Sequence, residues 1–171
     1  YIQPALLYNY LYKSPVLEWY FRIKYRLERK NYDFYSRLLE NRQKIYDLGC
    51  GLGFLSYYLK IANPKREIIG VDYDKDKIEL AANCYLKDEN MTFISSPVEN
   101  ITPQNADAIF LMDVLHYLPE ELQTHILDTC AENLNENGIL FIRDGISDDQ
   151  NHHKNTERTE FFSTKLFGFN K

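Results

Sequence analysis

Between two apolar runs the chain reads Asp47-Leu48-Gly49-Cys50-Gly51-Leu52-Gly53. The first run is Lys44-Ile45-Tyr46 and the second Phe54-Leu55-Ser56-Tyr57-Tyr58-Leu59. The pattern reads as a buried strand, a glycine turn and a helix. Glycines at alternate positions allow a sharp backbone bend and let a ligand approach the helix N-terminus without meeting a Cβ. The acid ahead of them narrows the choice. A pyrophosphate site wants helix N–H groups with no carboxylate beside them. Asp47 instead places negative charge at the strand's end, which suits a ligand with ammonium and sulfonium groups.

The segments that follow keep a strand–helix alternation. Ile68-Ile69-Gly70-Val71-Asp72 is a second apolar run that ends in an acid, where doubly wound folds bind ribose hydroxyls. Asp74 to Ala81 opens a helix with acids in its first turn. Met91–Ile94, Ala108–Met112 and Gly138–Ile142 read as three more buried strands. The expected fold class is therefore α/β, a doubly wound and mostly parallel sheet with helices on both faces.

Taken together, these motifs resemble the class I S-adenosylmethionine-dependent methyltransferases. The likeness runs from about Lys44 to Gly145, and it includes Ala106-Asp107-Ala108-Ile109 and Leu134-Asn135-Glu136-Asn137-Gly138-Ile139-Leu140. It implies S-adenosyl-L-methionine as cofactor and a Rossmann-like fold. The cofactor set it implies is Asp47, Gly49, Cys50, Gly51, Gly53, Asp72, Tyr73, Ser96, Val98 and Asp113, with no metal. The family commonly has an Asp for the adenine amino group where this chain has Pro97, which offers neither carboxylate nor N–H. Ser96 or the backbone around Val98 is expected to serve instead. Cys50 reads either as a small residue that fits the turn or as a reactive thiol.

The exit of the fourth strand, Met112-Asp113-Val114-Leu115-His116-Tyr117-Leu118-Pro119, resembles the Leu-His-x-Leu-Pro of small-molecule methyltransferases. It is not Asn-Pro-Pro-Tyr, which argues against an adenine or glutamine-amide acceptor. Methyl transfer needs chiefly alignment and water exclusion. A base is required only where an acceptor hydroxyl must lose its proton. His116 is the first candidate base and Asp144 the second, and each also has a purely structural reading. Arg143 either holds an acidic acceptor or pairs with Asp144. His152 and His153 are adjacent, so they face apart on any regular element and make no metal site.

Charge divides the chain unevenly. Residues 1–44 carry nine Lys or Arg against four Asp or Glu, while residues 45–171 carry eleven against twenty-one. The basic part is rich in Tyr, Phe and Trp. Pro4 and Pro15 split it into a short helix and a longer one over Val16–Leu39, with Leu17, Tyr20, Phe21, Lys24 and Leu27 near one face. Residues 1–43 are read as an N-terminal helical lid and 44–171 as the cofactor-binding domain. Basic residues among aromatics suit a membrane surface or an anionic substrate; alternatively these helices only cap the sheet. The acidic remainder makes nucleic acid a poor acceptor.

A second likeness is narrower. Tyr12–Tyr20 and Thr159–Lys171 are similar to uncharacterised Bacteroidetes methyltransferases, some encoded with or fused to acyltransferases of acyl-lipid and aryl-polyene pathways. It implies a small aromatic, acyl or lipid acceptor and a fused or partnered domain. No run of 18 apolar residues and no signal peptide are present, and Cys50, Cys84 and Cys130 fit no disulfide framework, so a cytoplasmic protein is expected, in reach of the inner membrane face. The chain opens on Tyr1 and is expected to be cut from a longer polypeptide. Thr159–Gly168 reads as a helix, and the family's terminal hairpin is expected to be missing. A nicotinamide oxidoreductase and a non-catalytic cofactor-binding module remain as alternatives.

Overall fold

A computed structural model describes residues 12–145. The short first helix, the pair His152–His153 and the helix expected at Thr159–Gly168 all lie outside the described residues, as do both chain ends.

Eleven elements follow in order: α1 (Pro15–Leu39), β1 (Lys44–Leu48), α2 (Phe54–Ala62), β2 (Glu67–Asp72), α3 (Lys75–Ala82), β3 (Met91–Ser95), a 3-10 turn at Val98–Asn100, β4 (Ala106–Met112), a second 3-10 turn at Leu115–Tyr117, α4 (Glu120–Glu132) and β5 (Leu134–Arg143). The five strands form one sheet in the order β3-β2-β1-β4-β5, and every neighbouring pair is parallel. The chain reverses direction across the sheet between β3 and β4. That puts β1 and β4 at the switch point, whose carboxyl-end crevice receives ligands in such folds.

Alternation along the strands separates two cores. Ile45, Ile68, Ala108 and Phe110 face α1 and α2, while Tyr46, Leu48, Ile69, Val71, Ile109 and Leu111 face the α4 side with Ile126 and Cys130. The rings of Phe110 and Phe141 stack at 4.4 Å between β4 and β5. At the start of α3, Asp74 caps the helix by accepting from Asp76 N–H at 3.0 Å and Lys77 N–H at 3.2 Å.

The structure corrects two readings. Leu27 does not share the buried face of α1; it is 66% exposed. The inner face is Leu17, Phe21, Tyr25, Tyr32, Tyr35 and Leu39, which keeps a 3.6-residue repeat over the whole helix where the expected set drifted off it. The strand expected to begin at Gly138 begins at Leu134. Ala106 pairs with Leu134 and Ala108 with Ile139, so the extra residues bulge, with Asn137 left-handed at φ 64°. Asn137-Gly138 is thus an irregularity within the strand.

Phe110 is fully buried in a central strand. Phe110→Ala is expected to lower stability by roughly 3–5 kcal/mol, measured by urea unfolding.

Candidate cofactor and active site

The glycine turn is held from two sides. Gly49 N–H and Cys50 N–H both donate to the Val71 carbonyl, at 2.7 and 2.9 Å. Gly51 N–H donates to Asp72 Oδ2 at 2.8 Å, while Asp72 Oδ1 accepts from Asp74 N–H at 2.9 Å. Gly49, Gly51 and Gly53 are all left-handed, at φ 81°, 54° and 75°. Their surroundings differ. A Cβ on Gly49 would stand 2.2 Å from Val114 Cγ2, whereas one on Gly51 would meet nothing within 4 Å and would project into open space.

That space belongs to a cavity of about 610 Å³ at the carboxyl ends of the strands. Of the residues named from the sequence, Gly49, Gly51, Asp72, Tyr73, Val98 and Asp113 line it. Lys77, Glu99, Val114, Tyr117 and Leu118 line it as well and were not foreseen. Pro97 forms wall here, and Glu99, two residues on, brings a carboxylate to the same cavity. The spacing of Glu99 from the strand end is the signal that could have found it.

A smaller cleft of about 170 Å³ shares Gly49 and Asp113 with the first. Lys24, Glu28, Tyr32 and Tyr35 from α1 wall it, with Asp47, Cys50 and Arg143. Asp47 is therefore placed apart from Asp72. It is buried and accepts from Ser56 Oγ at 2.5 Å. Burial pushes its carboxyl up, the Ser56 hydrogen bond offsets part of the rise, and the charge of Asp72 adds to it, for a pKa of about 6. Burial likewise raises the Cys50 thiol well above its ordinary value, which counts against a reactive thiolate.

Arg143 does not pair with Asp144. Its guanidinium donates to Glu28 Oε2 at 2.7 Å and to Asp113 Oδ2 at 2.6 Å, tying α1 to the loop after β4. Burial raises the Glu28 carboxyl, but the Asn31 hydrogen bond and the Arg143 charge outweigh it and hold the pKa below normal.

Asp144 takes His116 instead. Its Oδ1 is hydrogen-bonded to His116 Nδ1, and its Oδ2 accepts from His116 N–H at 3.1 Å. A carboxylate can only accept, so the shared proton sits on Nδ1, and in the neutral imidazole the lone pair is then on Nε2. The two residues expected to be catalytic are thus brought together, yet neither lines the cavity. The His116 ring lies 3.9 Å from that of Tyr117, which does line it. Ser96 and Gly53 are also off the wall. The Ser96 hydroxyl donates to the Pro97 carbonyl at 3.1 Å, and a Cβ on Gly53 would press on the Phe93 ring at 3.0 Å.

The donor set fits S-adenosylmethionine. Asp72 keeps acceptor capacity beyond its two backbone bonds for ribose hydroxyls, Gly51 leaves room for close approach, and Pro97, Val98 and Leu118 supply apolar wall for a flat base.

The parallel sheet, the left-handed glycine turn and the acid at the end of β2 make up the Rossmann-like fold of the class I methyltransferases. The chain belongs to the methyltransferase family whose domain model, described as a methyltransferase domain, matches residues 39–166. A carboxy-S-adenosyl-L-methionine synthase of Actinobacillus succinogenes is 31% identical over 112 residues, covering 63% of this chain and 46% of that protein. The synthase of Shewanella baltica strain OS155 is 30% identical over 119 residues, covering 67% and 49%. The chain thus spans about half the length of the curated relatives it matches. Among solved structures, the N-methyltransferase NodS of Bradyrhizobium japonicum superposes with a TM-score of 0.57 at 21% identity, over 66% of this chain and 65% of that one. The plantazolicin methyltransferase BpumL, in complex with a pentazolic desmethylPZN analog and SAH, superposes at 0.55 and 17%, over 70% and 50%. Both support the fold.

The raised Asp47 carboxyl has a consequence for stability. Between about pH 4 and pH 6 the folded protein keeps a proton that the unfolded chain has lost, so stability falls as pH rises through that window. Above it the whole penalty stands, at most about 3 kcal/mol. Asp47→Asn retains an acceptor for Ser56 and removes the charge. Urea unfolding is expected to show the variant more stable than the parent at pH 7 and level with it at pH 4.

Proposed function

We propose that this protein binds S-adenosylmethionine in the larger cavity and transfers its methyl group to a small acceptor bearing a hydroxyl. The observation that carries the reading is the 610 Å³ cavity at the switch point, floored by Gly49 and Gly51 and edged by Asp72. The cofactor supplies an electrophilic methyl carbon on a sulfonium that leaves as a neutral thioether. Asp72 holds the ribose, the Val98 backbone and Glu99 meet the base in place of an acid at Pro97, and Tyr73 and Leu118 exclude water. Asp47, from the smaller cleft, supplies negative charge toward the cofactor's cationic end. Asp144 orients His116 beside Tyr117 of the cavity wall, and an acceptor hydroxyl brought within reach of its Nε2 would give up its proton there as it attacks. The aromatic walls of the smaller cleft, Tyr32 and Tyr35, suit an aromatic or acyl acceptor, with α1 as its lid.

A second reading comes from the curated relatives, which are named for making a carboxylated form of the cofactor. The two readings part on the product. Mass spectrometry after incubation with cofactor and candidate acceptors is expected to show S-adenosylhomocysteine and a methylated acceptor; a carboxylated cofactor would establish the second reading instead.

Calorimetry with S-adenosylmethionine, S-adenosylhomocysteine, NAD and NADP is expected to give heat for the first pair alone. Asp72→Ala should weaken that binding by roughly 1–3 kcal/mol, through loss of hydrogen bonds to a charged group. Binding of NAD with no response to S-adenosylhomocysteine overturns the reading.

His116→Ala is expected to slow methylation of a hydroxyl acceptor by roughly 10²–10⁴-fold and to leave cofactor affinity nearly unchanged. An unchanged rate in a single-turnover assay would reduce the His116–Asp144 pair to scaffolding.

A further inference from the structure

Helix α1 carries a second apolar stripe that the core does not use. Val16, Trp19, Leu27, Phe34 and Leu38 are 48, 56, 66, 50 and 40% exposed. With half-buried Ile23 they are three or four residues apart, save for the seven from Leu27 to Phe34, and fall on a strip about 100° wide and roughly 33 Å long. The strip lies on the side of the helix opposite Leu17, Phe21, Tyr32 and Leu39, which are buried in the core.

Charge is sorted around this strip. The three acids of α1 are turned to internal partners. Glu18 is buried and accepts from Tyr12 N–H at 3.0 Å and from Arg22; Glu28 accepts from Arg143; Asp33 accepts from the Tyr58 hydroxyl. Arg26, Arg29, Lys30 and Arg37 are exposed and make no side-chain hydrogen bond or ion pair among the described residues. On the helical wheel Arg22, Arg26 and Arg29 fall along one border of the apolar strip, Arg37 on that edge, and Lys30 just within it, in the gap between Leu27 and Phe34. A protein partner's interface would have its centre depleted of charge and its rim mixed. A long apolar strip with a border of one sign fits an anionic interface, into which apolar side chains sink while Arg and Lys stay at the headgroups.

We propose that the outer face of α1 docks on an anionic lipid surface, with the helix axis in the plane of the interface and the strip from Val16 to Leu38 immersed. The rest of the chain carries the opposite sign of charge. Residues 45–171 carry a net charge of −10, so an anionic surface repels the body and attracts this helix, and the long-range field favours one orientation. Lys24 and Glu28 of the same helix wall the smaller cleft, so docking would bring that cleft close to molecules held in the lipid. The docking proposal is independent of which cofactor the protein binds.

Trp19 is the chain's only tryptophan and lies on the strip, which makes it a native reporter. Its emission is expected to move to shorter wavelength, and its quenching by iodide to fall, when the full chain meets vesicles of phosphatidylglycerol and phosphatidylcholine. Pure phosphatidylcholine should give little change, and added salt should reverse the effect. Arg26→Glu with Lys30→Glu should weaken vesicle co-sedimentation by roughly tenfold or more, and Leu27→Ser with Phe34→Ser should abolish it. All four positions are on the exposed side, and circular dichroism is expected to show each variant folded. Equal binding to neutral vesicles, or no response of Trp19 to either kind, overturns the proposal. So does a blue shift that grows with protein concentration without lipid, which would assign the strip to a second copy of the chain.

Discussion

The left-handed turn from Gly49 to Gly53 is the constraint on which the rest is arranged. It carries three positive φ values within five residues, which only glycine adopts at little cost. Val71 O and the Asp72 carboxylate fix it by taking the N–H groups of Gly49, Cys50 and Gly51. The turn thereby locks the ends of β1 and β2 into one unit. On the other side Gly49 has Val114 against its Cα, which sets how closely the loop after β4 can approach. Three strand ends meet at a single residue with no side chain. The cavity's floor and its two flanking walls are consequently fixed by backbone, and side chains are left to choose the ligand.

Helix α1 joins this arrangement through one ion-pair chain. Glu28 reaches Arg143 at the end of β5, and Arg143 reaches Asp113 in the loop after β4. Partly exposed pairs of this kind contribute little to stability one by one. Their effect is on position. Asp113 stands at φ 58°, a conformation that Asp tolerates better than most residues, and its N–H is given to the Arg143 carbonyl at 2.7 Å. Backbone and side chain of Arg143 both hold Asp113, so the residue common to the two clefts is fixed from the same strand.

Much of this was legible in the sequence, and the failures share a cause. Short apolar runs and the glycine turn mark all five strands, because each signal is local to a few residues. The burial of Asp47 is not local: it depends on Ser56 folding back over it from α2 and on α1 covering that face of the sheet. Nor is the His116–Asp144 pair, whose members lie 28 positions apart on the loops after β4 and β5. Leu27 misled because hydrophobic residues occupy both sides of α1, so a short window finds an apolar face without telling which one meets the core. The strand start at Leu134 was missed because a bulge interrupts the apolar run there, and only residues 138–142 keep it.

The distance between the two acids explains the division of the site. Asp47 and Asp72 end neighbouring strands, β1 and β2, and would repel if both faced one cavity. The pleat does not separate them: Ile45 pairs with Ile68, and Asp47 and Asp72 follow those residues at even spacing, so both lie on one side of the sheet and the glycine turn stands between their clefts. Asp47 points with Ile45 toward α2 and the smaller cleft, while Asp72 is held at the rim of the larger one by two backbone N–H groups. Their remaining interaction helps to raise the Asp47 carboxyl, and a cation brought to the boundary between the clefts would relieve it. Gly49 and Asp113 are that boundary. A ligand whose nucleoside lay against Asp72 and whose positive charge lay beside Gly49 would thus be favoured by both acids, and a ligand with a pyrophosphate in the same place would be opposed by both.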